Sequence, residues 1–572
     1  MQSACVHRLL GTGLLGTGLL GCVFASVGCR PDELDCYATA TCPTAGSGGG
    51  DAGGSPSAGG TSPTAAGGAG GAAGATGTGT GGTGGMSLAK NGEPCAAAAA
   101  CASGFCADGV CCAEACAGAC RACNLAPTAG TCAPHPPATD PDGDCAADGG
   151  VCDGAKSCAS GKHLWSQKFG DAKQQTGDAV AVDATGNVII AGTNGGNVNF
   201  GGATLTNNLY IAKFSAAGVH QWSKGFNAPC QAEDLVSLKS GSLVMSARCG
   251  GGTVTFGGPT VDATGGANFI VAFDKDGNHV WTLNIAKNLF GVTCLLAADT
   301  TDNIIAIGYY AFGNISFGGP PLVPGDLEDF FVAKLTSAGI HQWSRSFGGA
   351  GSDFARDVGL DASGDILIAG EFAGTIVLDT ASITSKQARD AFLVRLDGAG
   401  VVVWAKSFTD GGGSSYPYMS VAAHSDGSSI LALSPVGAMD LGGGLLTPAG
   451  STDIAIARFD KNGVHVTSKR YGSAGSESVE MVRMDGNGNV VIGGFGAGAD
   501  FGGGMISPQF IVKLGASFEY LWANTGAPPN RLAVSPTGAV AITGSFYDAI
   551  NLGGGQLTST GGTDVFAALL GP

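Results

Sequence analysis

Between residues 163 and 572 apolar and polar positions alternate in short runs, each closed by a cluster of Gly, Asp, Asn or Ser, and no stretch keeps a useful helical period. Short antiparallel strands are therefore predicted throughout. In the first copy of the pattern they are AVAV before the turn Asp183-Ala184-Thr185-Gly186-Asn187, VIIAGTN running toward VNFGG, LYIAKF before Ser215-Ala216-Ala217-Gly218, and VHQWSKGF. Similar turns at 361–365, 485–489, 274–277 and 460–463 put glycine at the left-handed position that closes a hairpin.

The pattern is periodic. Trp165, Trp222, Trp281, Trp343, Trp404 and Trp522, all six tryptophans of the chain, stand 57, 59, 62, 61 and 118 residues apart. The last interval is two periods, and Thr467 in HVTSKRYG fills the empty place. Seven copies follow, and a period of about 60 residues marks a solenoid, propeller or array. Four-stranded antiparallel units in tandem are propeller blades. The last copy ends at DVFAALLGP without a fourth strand, while HLWSQKFG at 163–170 precedes the first copy as a surplus one. The predicted fold is all-β: a seven-bladed β-propeller closed by the N-terminal strand, with 163–169 beside 564–569 and no unpaired terminal blade. The cores DATGNVIIAG and DGNGNVVIGG resemble the SBBP family of bacterial β-propeller repeats over 163–572. That resemblance implies the fold and no particular activity.

Upstream the composition changes three times. Residues 9–28 are uncharged and apolar behind His7 and Arg8, the layout of a secretory signal, and Gly11, Gly13, Gly16, Gly18 and Gly21 favour cleavage over a permanent span. Leu19-Leu20-Gly21-Cys22 and Val27-Gly28-Cys29 both resemble the bacterial lipobox, which implies lipidation at Cys22, with Cys29 as the alternative, and anchoring by acyl chains. After a short Cys-containing segment (29–44), residues 45–86 are a Gly/Ala/Ser/Thr linker; 19 of the 41 positions from 45 to 85 are glycine. Such a segment cannot bury enough apolar area to order itself, and its mean reach is roughly 35 Å. Residues 87–162 then carry twelve cysteines: Cys95, Cys101, Cys106, Cys111, Cys112, Cys116, Cys120, Cys123, Cys132, Cys145, Cys152 and Cys158. Behind an export signal this even number predicts a disulfide-stapled module. Cys120-Arg121-Ala122-Cys123 has zinc-ligand spacing, but an oxidising compartment favours pairing, so no metal and no cofactor is expected. The module resembles the cysteine-rich segments that precede repeat domains in bacterial surface lipoproteins.

Composition narrows the function further. The chain has 572 residues, 101 of them glycine and 20 cysteine, with 13% charged residues and a net charge of −17. This excludes a compact single-core cytoplasmic enzyme and gives no electrostatic basis for binding nucleic acid or anionic lipid headgroups. The address is the cell envelope, as a lipid-anchored outer-membrane or surface protein, with secretion as the alternative.

Candidate chemistry is mostly absorbed by the repeat. His163, His220, His279, His341 and His465 all stand two residues before the tryptophan position, so they are spread around the ring and read as structural. Asp329, Asp390, Asp453 and Asp564 each precede a third strand, where a carboxylate accepts backbone amides of a turn. The tryptophans read as packing between blades, the Gly-Gly pairs after Phe200, Phe256, Phe317 and Phe501 as a per-blade feature, and 274–278 as a hairpin rather than a calcium loop. Cys230 and Cys249 flank the turn at Ser240-Gly241 and are predicted to pair; Cys294 reads as a buried free thiol. The short turns fall at one end of every blade. The long connections (194–208, 311–328, 374–390, 435–452, 348–353, 409–418, 472–477) fall at the other, and that rim is the expected ligand face. The leading reading is a binding or scaffolding head for an extracellular glycan or protein. The alternative is a carbohydrate-active enzyme using Glu328, Asp410 or Glu477, and a third reading is a structural coat component.

Overall fold

The computed structural model describes residues 88–572 apart from 146–149, 155–157, 290, 326, 380, 413–417, 497, 507 and 529, all within the compact unit Gly85–Pro572. The signal region, Cys22, Cys29 and the linker lie outside the described residues. Among the described residues no helix is long and apolar enough to cross a membrane.

Seven four-stranded antiparallel sheets follow one another along the chain. Blade 1 is Ala179–Val182, Val188–Thr193, Leu209–Phe214 and His220–Phe226, hydrogen-bonded in that order. The first strands of blades 2 to 6 are Cys230–Ser237, Leu295–Ala298, Asp353–Leu360, Met419–Ala423 and Glu477–Met484. Blade 7 takes Arg531–Val534, Val540–Phe546 and Asp564–Leu570 from the end of the chain, and its fourth strand is His163–Phe169, with Trp165 opposite Leu569 and Phe169 opposite Val565. The ring is closed by its own N-terminal strand. Second and third strands are buried along almost their whole length, so each blade is an apolar slab whose faces pack on its neighbours.

The tryptophan repeat has a specific mechanical role. Trp165, Trp222, Trp281, Trp343 and Trp404 each donate Nε1–H to a carbonyl in the turn between third and fourth strands of the next blade, at 3.0 to 3.3 Å. The ring lies on that turn's glycine: Gly218, Gly277, Gly339, Gly400 or Gly463, all with φ between +74° and +83°. A Cβ on Gly218 would stand 2.8 Å from the Trp165 ring, so contact and dihedral both require glycine there. Two junctions depart from this rule. Trp522 meets Gly161, because blade 7 has no covalent turn between its last two strands; Ser160 N–H bonds Pro572 O (2.8 Å) and Gly571 N–H bonds Lys162 O (2.7 Å) instead. Where Thr467 replaces tryptophan, the facing turn carries Phe518 at φ +66° in the glycine's place, buried with Ile454, Ile456 and Tyr471.

The long connections between second and third strands are not unstructured loops. Each contains a small hairpin, such as Thr375–Leu378 with Ala381–Thr384, or an isolated bridge such as Val198 with Leu205. These fold back into the wedge that opens between radiating blades. Phe200, Phe256, Phe317 and Phe501 fill it, Phe200 packing on Phe169 of blade 7 and Tyr210 of blade 1. The second glycine after the aromatic lies against the histidine ring of the same blade, Gly258 on His279 and Gly319 on His341. The repeated histidines and Gly-Gly pairs are thus two halves of one packing contact.

Before the ring, six disulfides organise residues 95–158: Cys95–Cys106, Cys101–Cys111, Cys112–Cys123, Cys116–Cys132, Cys120–Cys152 and Cys145–Cys158. Cys120 and Cys123 are bonded to different partners, Cys152 and Cys112. The bridges themselves are the core, in place of large apolar side chains. The module docks on the ring through Ala159, packed with Leu521 and Trp522, and through Asn487 Nδ2–H to Asp153 (3.0 Å). A seventh bridge, Cys230–Cys249, joins directly opposed residues of blade 2, and Cys294 is free and buried.

Candidate functional site

The first strands of all seven blades line a central channel of about 410 Å³. Most of its wall is Val, Ala, Leu and Gly, with four charged groups set into it: Asp234, Asp357, Arg483 and Arg531. The carboxylates sit where they do because the first strands of blades 2 and 4 each carry a bulge immediately before the aspartate. Asp234 accepts the N–H of Leu235 and, across the blade junction, that of Leu296, both at 2.8 Å. Asp357 does the same with Val358 (2.9 Å) and Val421 (3.1 Å), and also takes Ser420 Oγ–H and Arg483 Nη1–H (2.9 Å). Each aspartate staples its blade to the next one. Burial raises the Asp234 carboxyl against the pull of those two amides. Asp178, at the entry to the first strand of blade 1, is pushed up to about 6 by burial, opposed by Thr176 and the Arg531 charge.

Channel acceptors are therefore largely spent on backbone amides, whereas channel donors are not. Arg483 engages Asp357, Ser420 and the Val482 carbonyl mainly through one nitrogen. Arg531 gives one hydrogen bond, to the Asn530 carbonyl (2.9 Å), and forms no ion pair among the described residues. Two guanidinium groups from adjacent blades thus face one cavity with N–H donors to spare, an arrangement suited to a carboxylate or phosphate group.

The residues singled out in the sequence lie elsewhere and are not brought together. Asp329, Asp390, Asp453 and Asp564 each accept the N–H of the residue four places earlier (Gly325, Lys386, Ala449, Thr560) at 2.9 to 3.0 Å. Of the acids the enzymatic alternative needs, Asp410 is buried, accepting amides of Gly412, Val436 and Gly437, and Glu477 is buried, accepting Ser473 N–H and Oγ–H. Both are spent holding loops. Glu328 is half-buried and offers its carbonyl to Asp353 N–H. The channel aspartates went unnoticed in the sequence, although Glu233-Asp234-Leu235 and Arg356-Asp357-Val358 stand at the same repeat position two blades apart.

One acidic junction gives the ring a pH dependence. Asp353 is fully buried; one oxygen accepts Gly349 N–H (2.9 Å), and its Oδ1, like that of Asp329, has no hydrogen-bond partner. Burial pushes the Asp353 carboxyl up to about 7, with the Gly349 amide opposing and the Asp329 charge reinforcing. A carboxyl raised above its unfolded value of about 3.9 stabilises the fold fully only below that value. This contribution is lost as pH rises from about 4 to about 7. Asp353→Asn should flatten the stability curve over that interval, as read by urea unfolding at its two ends; a curve parallel to wild type would place the titrating group elsewhere.

On the connections between second and third strands and between blades, large apolar residues remain exposed beside buried ones: Phe312 (83%), Leu327, Tyr418, Met505 and Tyr547, spread over blades 3 to 7. No family model matches the chain. It is similar to an uncharacterized WD repeat-containing protein of Acanthamoeba polyphaga mimivirus, 22% identical over 260 residues, covering 42% of this chain and 16% of that relative. The chain thus spans about a sixth of the length of the curated relative it matches. Among solved structures it is similar to Kuenenia stuttgartiensis hydrazine synthase (10% identity, TM-score 0.38, covering 64% of this chain and 92% of that one). It is similar also to Chaetomium thermophilum Raptor (9%, 0.38, covering 72% and 28%) and to a Dyadobacter fermentans protein of unknown function (15%, 0.34, covering 60% and 94%).

Proposed function

We propose that this chain is an exported, lipid-anchored surface protein of the bacterial SBBP-repeat type, in which the propeller is a binding head carried on a flexible stalk. The observation that carries the location is the disulfide framework: seven bridges among the described residues, six of them supplying the core of one small module, suit an oxidising exterior. Lipidation at Cys22, with Cys29 as the alternative, follows from the lipobox resemblance and supplies the anchor. The ligand is a glycan or protein on the long-connection side. The exposed Phe312 and Tyr418 support an amphipathic contact there, and the unspent N–H groups of Arg483 and Arg531 support an acidic group entering the channel.

Two experiments test this reading. In a bacterial host grown with an alkyne fatty acid, wild type should take the label and Cys22→Ala should lose it; a labelled Cys22→Ala with an unlabelled Cys29→Ala would move the anchor to Cys29, and an unlabelled wild type would remove it. The full chain on a glycan and peptidoglycan array should retain acidic members, with more than about tenfold loss of affinity in Arg531→Ala at unchanged melting temperature. Equal retention of neutral and acidic glycans by both proteins would contradict the channel's part.

A further inference from the structure

Residues 135–144 read HPPATDPDGD, a histidine followed by Asp140, Asp142 and Asp144 on alternate positions. The fold gathers part of this segment around one cysteine. Cys120 donates its backbone N–H to Asp144 Oδ2 (2.7 Å) and accepts the backbone N–H of His135 (2.9 Å), while its side chain is locked to Cys152. His135 and Asp144 are thereby held from opposite sides of the same residue. His135 Nε2 lies 2.6 Å from Asp142 Oδ2, and one ligand atom each from His135, Asp142 and Asp144 falls within 4.8 Å of the other two. The imidazole is only 2% exposed, yet its Nδ1 has no hydrogen-bond partner. The nitrogen turned toward Asp142, and so the one available to a shared ligand, is Nε2.

We propose that His135, Asp142 and Asp144 form a divalent-metal site of the cysteine-rich module, suited to zinc. One imidazole nitrogen with two carboxylates is a mixed donor set of borderline softness. Calcium takes six to eight oxygens and magnesium near-octahedral oxygen, so neither fits a buried imidazole with two carboxylates. Zinc accepts nitrogen and oxygen together at about 2.0 to 2.2 Å and is satisfied by three protein ligands and a water. The water has a way in, since Asp142 and Asp144 are exposed while the ring is buried beneath them. Zinc would take the place of the direct contact between His135 and Asp142. Two ligands on one tetrahedral ion are about 3.3 Å apart, a small widening that the exposed Asp142 can take up. Asp140 is not part of the set, because both of its oxygens face Cys145 N–H (3.3 and 3.2 Å). The module's twelve cysteines supply no ligand to it, since all are bonded in pairs.

The test uses the full chain with its disulfides intact, stripped with a chelator and titrated with zinc chloride by calorimetry. One zinc per chain is expected, with affinity reduced more than about tenfold in the double variant Asp142→Asn/Asp144→Asn. Both substitutions lie on the surface, and an unchanged disulfide count by mass spectrometry shows that the variant has folded. Calcium chloride should give no saturable heat. Equal zinc affinity in wild type and double variant, the absence of saturable zinc binding, or saturable calcium binding in place of zinc would each overturn the assignment.

Discussion

A chain beginning at residue 170 should lose its cooperative thermal transition, whereas a chain beginning at residue 160 should keep it. The two differ by little more than His163–Phe169, which completes blade 7 through six paired residues and buries Trp165 and Phe169 to 8% and 7% exposure. Removing side chains of that size from a core costs about 3 to 5 kcal/mol each, and the strand hydrogen bonds add about 1 kcal/mol apiece. Their sum is comparable with the whole stability of a typical domain, about 5 to 15 kcal/mol. The loss also leaves Asp564–Leu570 as a long apolar edge strand, an invitation to aggregate. Residues 160–162 must be retained, because Gly161 supports Trp522 and Ser160 holds Pro572. Circular dichroism melts of the two shortened chains decide the matter; equal transitions would mean that the N-terminal strand is dispensable.

Phe518→Gly should be destabilising by about 3 kcal/mol, and adding Thr467→Trp should recover most of that loss. Both positions break the repeat, at the same junction. Six junctions place tryptophan over a left-handed glycine, five of them in a covalent turn; the junction between blades 5 and 6 places threonine opposite a left-handed phenylalanine. Phe518 is 1% exposed, and its carbonyl accepts Lys469 Nζ–H (2.9 Å) and Tyr471 Oη–H (3.0 Å) from blade 5. Glycine in its place relieves the positive φ, worth about 1 kcal/mol, but empties the volume of an aromatic ring. Tryptophan at 467 refills it from the other side and restores the contact seen at Trp404 and Gly463. Urea unfolding of the two single variants and the double variant measures the coupling. Additive losses would mean that the two departures are unrelated.

Much of the architecture was legible because it depends on features that recur once per blade. Tryptophan spacing, left-handed glycines in the turns and the missing fourth strand of the last copy were enough to count seven blades and to close them. What escaped was geometry that arises only when blades are packed. The wedge between blades has no counterpart in a single repeat, so the connections that fill it looked like free loops; their paired segments, such as Ala499–Asp500 with Met505–Ile506, are too short for alternation to reveal. The channel aspartates were hidden for a related reason. Asp234 and Asp357 depend on a bulge, which shifts side-chain alternation by one residue and makes a channel-facing position look like an ordinary strand position. Export and anchoring were read from residues outside the described structure and rest on sequence resemblance. The pairing of twelve closely spaced cysteines follows no rule that spacing alone supplies.

Hydrogen exchange at residues 163–169 tests the closed ring most directly. Among the described residues this segment's strand partner is Asp564–Leu570, some four hundred residues away in the chain. In the full-length protein its hydrogen-bonded amides should exchange as slowly as those of His220–Phe226, which occupies the same place in blade 1 with a covalently adjacent partner. Exchange on the timescale of an open loop at 163–169, with His220–Phe226 still protected, would contradict the closure and with it the channel, its two arginines and the face proposed for recognition.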